Sequence, residues 1–209
     1  MAERLANGNV ALALLANTIA TGAAVVALIL AFGPISGAHL NPVVSIMDTL
    51  EGGLQWKEVP HYVIAQTVGG IGGTVAAHLM FGLPAISLSQ HVRAGSSQWL
   101  SEFVATFGLL SVIWGCSRTR TSIVPFAVGA YITAAYWFTA STSFANPAVT
   151  ISRCLSNTFA GIRPFDVPWF VLAQFLGGFA ATALFRWLIP NLEAQAKDVL
   201  LPHDLERNR

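Results

Sequence analysis

Long apolar stretches, separated by short breaks rich in charge or turn residues, set the pattern of this chain. No Asp, Glu, Lys or Arg occurs between Arg4 and Asp48, nor from Val59 to Val92, Thr121 to Ser152 or Val167 to Phe185. A helix needs about 20 apolar residues to cross a bilayer core. Each stretch therefore holds one span, and the first and third leave room for an additional half-helix. A shorter apolar segment, Trp99 to Gly115, carries a single acid, Glu102. The pattern predicts five full spans, at about 10–32, 61–83, 98–116, 123–140 and 167–189. The first apolar run continues directly into a polar break at residue 41, so it does not read as a cleaved signal peptide. The fold class expected is an all-α membrane protein, because helices satisfy their own backbone hydrogen bonds in lipid.

Two of the apolar stretches are interrupted in the same way, by Asn41-Pro42-Val43 and by Asn146-Pro147-Ala148. Proline removes a backbone donor and ends a helix. In lipid such a break persists only when it is buried in protein or lines a watery path. Matching breaks in two halves point to a solute site near the bilayer midplane. A second repeat supports two halves: residues 59–70 recur at 167–178, offset by 108, sharing Val, Pro, Val, Ala, Gln and a Gly pair, after which Thr74 matches Thr182. The Asn-Pro pairs are offset by 105. Three crossings separate a repeated span from its copy, and an odd number reverses direction, so the halves are inverted. The chain reads as one membrane domain over 1–209, with a first repeat of about 1–92, a second of about 93–190 and a tail at 191–209. Arg118, Arg120, Lys197, Arg207 and Arg209 fall on one side, assigned as cytoplasmic, with Arg153 and Arg163 opposite. The span carrying Glu102 has no counterpart in the first half, since its partner would precede Met1. Either the chain starts late, at an internal methionine, or it is a shortened form.

Composition narrows the function. Only 10% of residues are charged, 54% are hydrophobic and mean hydropathy is +0.60, which suits lipid and not a soluble surface. A net charge of +1 supplies no basic face, so no nucleic-acid partner is expected. Cys116 and Cys154 are too few for a disulfide framework and read as packing residues. His61, His78, His91 and His203 are scattered, so neither a metal nor any other cofactor is implied. No Gly-x-Ser-x-Gly and no paired membrane aspartates are present, so an enzyme is not expected. Glu102, the one acid inside a span, could couple protons or support structure. With no second acid or lysine in any span, the structural role is favoured. Gly69, Gly70, Gly72 and Gly73, with Gly177, Gly178, Ala180 and Ala181 in the copy, let helices approach closely.

The segments Ser36-Gly37-Ala38-His39-Leu40-Asn41-Pro42-Val43-Val44-Ser45 and Phe144-Ala145-Asn146-Pro147-Ala148-Val149-Thr150 resemble the two signature boxes of the aquaporin and glycerol-facilitator family, the major intrinsic proteins. The resemblance runs from about Asn9 to Pro190. It implies an inverted-repeat bundle with two re-entrant half-helices and a pore through each protomer of a homotetramer. The family has six full spans where this chain reads as five. Pro42 and Pro147 suit the first helical position, which leaves two positive helix ends facing each other at the midplane and opposing cations. Asn41 and Asn146 each carry two amide donors that can orient a passing oxygen and interrupt proton hopping. Val43 stands where the family usually has Ala and is expected to narrow or grease the junction. Val149 stands where the family usually has arginine. By the family's spacing, Thr21, Ser143 and Tyr136 complete the outer constriction, with Ala134 as the rival of Tyr136. Arg153 lies one turn beyond Val149; it reads as a solvated loop arginine, the alternative being a source of positive potential at the outer vestibule. Glu102 matches the family's loop-supporting glutamate, and His39 reads as a hydrogen-bonded packing residue rather than a pH sensor. The function expected is a passive channel for water, glycerol-like polyols and undissociated metalloid acids in a multi-pass membrane protein. A truncated, assembly-dependent or inactive member and a proton-coupled transporter are the alternatives.

Overall fold

The computed structural model describes residues 1–117 and 121–189. The orientation-setting residues Arg118, Arg120, Lys197, Arg207 and Arg209, together with His203, Pro190 and the tail at 191–209, lie outside that range. Eight α-helices are described: α1 Ala2–Leu5, α2 Val10–Ser36, α3 Pro42–Leu50, α4 Val59–Met80, α5 Ser96–Ser117, α6 Val124–Phe138, α7 Pro147–Arg153 and α8 Val167–Leu188. Five of these, extended in two cases by a preceding 3₁₀ turn, are long and apolar enough to span a bilayer. The chain is thus an all-α, multi-pass membrane protein.

The span starts follow from proline chemistry. Val59-Pro60, Val124-Pro125 and Val167-Pro168 each open a helix with proline in its first two positions, where no backbone donor is needed. The second span accordingly starts at Val59, two residues before the expected start at 61. α2 runs past the expected end at 32 and continues through Pro34 to Ser36. It stops at Gly37, a left-handed cap whose N–H donates to the Gly33 carbonyl.

Glycines decide where helices cross. α2 meets α6 at Gly22 and Gly129, where a Cβ on Gly22 would collide with Thr133 Oγ1 and one on Gly129 with Val26 and the Gly22 carbonyl. α5 packs along α8, with Gly177 against the Phe103 carbonyl. Thr18 Oγ1 donates to the Thr133 carbonyl at 2.9 Å and fastens α2 to α6. Helices α3 and α7 are each wedged between α4 and α8: α7 sits over Gly70 through Ser152, and α3 over Gly178 through Val43. The repeated glutamines clamp these wedges. Gln66 donates to Ser45 Oγ and Gln174 to Thr150 Oγ1, both at 2.9 Å.

Direction can be read from the end contacts. Arg186, at the end of α8, bonds Glu51 and Leu50 at the end of α3, just before α4 starts. Asp166, at the start of α8, accepts the N–H of Arg93, beyond the end of α4. α4 and α8 therefore run in opposite senses. The end carrying Arg93 and Arg153 is called outer below.

Candidate functional site

α3 and α7 begin head to head. Asn41 Nδ2 donates to the Ala145 carbonyl and Asn146 Nδ2 to the Leu40 carbonyl, each at 2.7 Å. Each asparagine also caps its own helix: Asn41 Oδ1 accepts from Val43 N–H at 3.0 Å, and Asn146 Oδ1 accepts from Ala148 at 2.9 Å and Val149 at 3.3 Å. One N–H of each amide is therefore committed to the opposing loop. One of each remains for the cavity, where the sequence suggested two.

The loops feeding the asparagines share a backbone signature. Gly37, Ala38 and Leu40 have φ of 70°, 46° and 51°; Thr142, Ser143 and Ala145, 105 positions later, have 61°, 50° and 48°. Non-glycine residues adopt this region at a cost of about 1–2 kcal/mol each. Cross-loop bonds and burial offset that cost. On the second loop, buried Glu102 accepts from the N–H groups of Phe144 and Ala145, both at 2.8 Å, and from Gln174 Nε2 at 2.6 Å. Behind the first loop, His39 contacts Ser45 Oγ through Nδ1 at 3.1 Å and Asp48 through Nε2 at 3.4 Å, and its ring packs on Tyr62.

A cavity of about 490 Å³ runs past this junction. Asn41, Asn146, Ala148 and His39 line it, as do Thr21, Tyr136, Ser143 and Val149 toward the outer end. Tyr136 Oη donates to Thr21 Oγ1 at 3.4 Å, whereas Ala134 faces outward. Val43 differs from expectation: it is fully buried, with its side chain against Gly178 of α8, and does not line the cavity. The register of a helix starting at Pro42 turns Val44 to the cavity and Val43 away from it. Pro42 and Pro147 are buried at the first turns.

Arg153 also differs. It is a half-buried cavity wall, with Nη2 donating to Tyr136 Oη at 2.9 Å and Cζ 4.3 Å from the Phe144 ring centroid. A spacing of four residues from Val149 is one helical turn, the signal that places both on one face. Arg93 drew no attention in the sequence, yet it is buried. It donates to the carbonyls of Gly161 at 2.7 Å, Ser141 at 2.8 Å and Phe159 at 3.2 Å. Burial and then the charge of Arg153 lower its pKa to about 10, so it stays cationic at neutral pH. At the other end, Arg186 Nε donates to buried Glu51 at 2.5 Å. Cys116 and Cys154 are free and half-buried. No cluster of three metal-ligating side chains occurs among the described residues.

Comparison with known proteins agrees with this architecture. The family described as major intrinsic protein matches residues 2–143 and 117–205. Aquaglyceroporin AqpS of Rhizobium meliloti (strain 1021) is 58% identical over 179 residues, covering 86% of this chain and 77% of that protein. Aquaporin NIP1-4 of Oryza sativa subsp. japonica is 32% identical over 176 residues, with 81% and 62% covered. A probable aquaporin, AqpM, of Archaeoglobus fulgidus is 30% identical over 181 residues, with 79% and 72% covered.

Proposed function

Because the chain belongs to the major intrinsic protein family of membrane channels, we propose that it is a passive, non-enzymatic pore for small uncharged solutes: water, glycerol-like polyols and undissociated metalloid acids. The observation that carries this is the reciprocal pair of 2.7 Å amide bonds at the junction, beside an open cavity. Two helix N-termini aim at that point and disfavour cations. The free N–H of each asparagine can donate to a solute oxygen, which turns a passing water's hydrogens outward.

The substrate range follows from the outer ring. Thr21, Tyr136, Ser143 and Val149 offer hydroxyls and one small apolar surface. Valine where the family usually has arginine leaves space for a three-carbon polyol at that level. Glu102 serves structure, since all its accepted bonds go to the loop of Asn146 and to Gln174. The functional unit is a homotetramer in a lipid bilayer, as in the family.

Stopped-flow swelling of proteoliposomes tests the proposal. Glycerol-driven swelling independent of any pH gradient is expected. Uptake that requires a proton gradient would replace the channel with a coupled transporter, and absence of flux would remove both.

A further inference from the structure

We propose that Arg153, one turn beyond Val149, is the charge-selecting residue of the outer constriction, where it excludes cations small enough to fit while hydroxyl-bearing neutral solutes pass. This rests on the channel reading above and adds to it a named selector at a position the family's spacing does not indicate.

Placement comes first. Val149 and Arg153 lie one turn apart on α7, and both line the cavity beside Tyr136. The guanidinium is held rather than solvated. Tyr136 Oη accepts from Nη2 at 2.9 Å, and Cζ stands 4.3 Å from the Phe144 ring centroid and 5.9 Å from that of Tyr136. Nη1 is shielded from bulk solvent and has no hydrogen-bond partner. The geometry therefore fixes a planar cation at the mouth.

The charge is not cancelled locally. Among the described residues, the ion pairs are His39–Asp48, Arg163–Asp166 and Arg186–Glu51, and Arg153 joins none of them. Phe144 also faces a second cation, Arg93, with Cζ 4.7 Å from its centroid. Arg93 spends its donors on three carbonyls and adds positive charge behind the ring. Glu102, the acid behind this loop, has its oxygens occupied by Phe144, Ala145 and Gln174. With Asp166 already paired to Arg163, two guanidiniums, Arg93 and Arg153, stand against one carboxylate, Glu102, and leave the mouth positive. A cation within a few ångströms of such a charge, partly screened, is disfavoured roughly tenfold to a hundredfold.

The test compares glycerol with methylammonium, a small cation, in proteoliposomes. Unmutated protein is expected to pass glycerol and exclude methylammonium. Arg153→Gln should raise methylammonium uptake about tenfold or more while glycerol uptake changes less than about threefold. Arg153→Lys, which keeps the charge, should keep exclusion. In a Cys116→Ser, Cys154→Ser background, Arg153→Cys should leak methylammonium until a cationic thiol reagent restores charge, and a neutral reagent should not close the leak. Should these variants fail to reconstitute, the unmutated protein decides: raising salt from about 0.01 M to about 1 M should increase methylammonium but not glycerol uptake. Unchanged exclusion in Arg153→Gln, or no salt response, overturns the assignment of Arg153 alone. No glycerol flux in the unmutated protein overturns the channel reading instead.

Discussion

At the scale of single residues, the junction works because each asparagine does three jobs with two polar atoms. Asn146 Oδ1 caps α7, one amide hydrogen ties down Leu40, and the other remains for solute. Asn146→Asp would replace that donor with negative charge at the junction. Proton leak across proteoliposomes should rise, and an unchanged leak would remove Asn146 from the conduction path. Val149 shares the outer level with Thr21, Tyr136 and Ser143. Val149→Arg should lower glycerol flux more than water flux, because it adds bulk where a three-carbon solute must pass; equal losses would place Val149 off the constriction. Glu102 accepts three bonds from full burial. Glu102→Gln would set an amide donor against N–H groups, costing about 1–3 kcal/mol, so thermal unfolding in detergent should occur at lower temperature.

At the scale of elements, the half-helices are too short to be stable alone and depend on what grips them. Gly70 and Gly178 let α7 and α3 approach the long helices, while Gln66 and Gln174 fasten their first turns. Not every glycine of the two repeated spans sits at a close contact. A Cβ on Gly177 would lie 2.4 Å from the Phe103 carbonyl, whereas Gly73 has nothing within 4 Å. Gly177→Ala should therefore lower the melting temperature and Gly73→Ala should not. If both behave alike, the α5–α8 crossing is not as tight as described. The outer loops depend on Arg93, which bonds three carbonyls in two separate segments, Ser141 in one and Phe159 and Gly161 in the other. Arg93→Met would leave those carbonyls without their donor, at about 1–3 kcal/mol for a buried group. Reduced protection from proteolysis across residues 139–163 would reveal it.

At the scale of the whole molecule, two inverted halves place two positive helix ends against each other and let the loops exchange bonds. Most of this was legible along the chain. Charge-free stretches marked the spans, and an offset of 108 between residues 59–70 and 167–178 marked the repeat. Thr21, Ser143 and Val149 could be located only through the resemblance to the family and its spacing, and all three line the cavity. Other features could not be located this way. Val43 looked like part of the junction, yet helix register turns it onto Gly178. Arg153 looked like a loop cation because its partners, Tyr136 and Phe144, lie on another helix and in the loop before α7. Arg93 gave no signal, since its acceptors are backbone carbonyls, which every sequence contains.

The order of apolar and polar residues by itself determined that the chain crosses a membrane, that it repeats with reversed direction, and that both halves break at Asn-Pro. Those properties depend on hydropathy, on helix length against bilayer thickness and on the missing donor of proline, all of which are local. Tertiary structure decided which donor of each asparagine stays free, which neighbour of Val149 carries charge into the cavity, and what holds the left-handed loops. Those depend on side-chain direction and on contacts between residues a hundred positions apart, which no local pattern encodes.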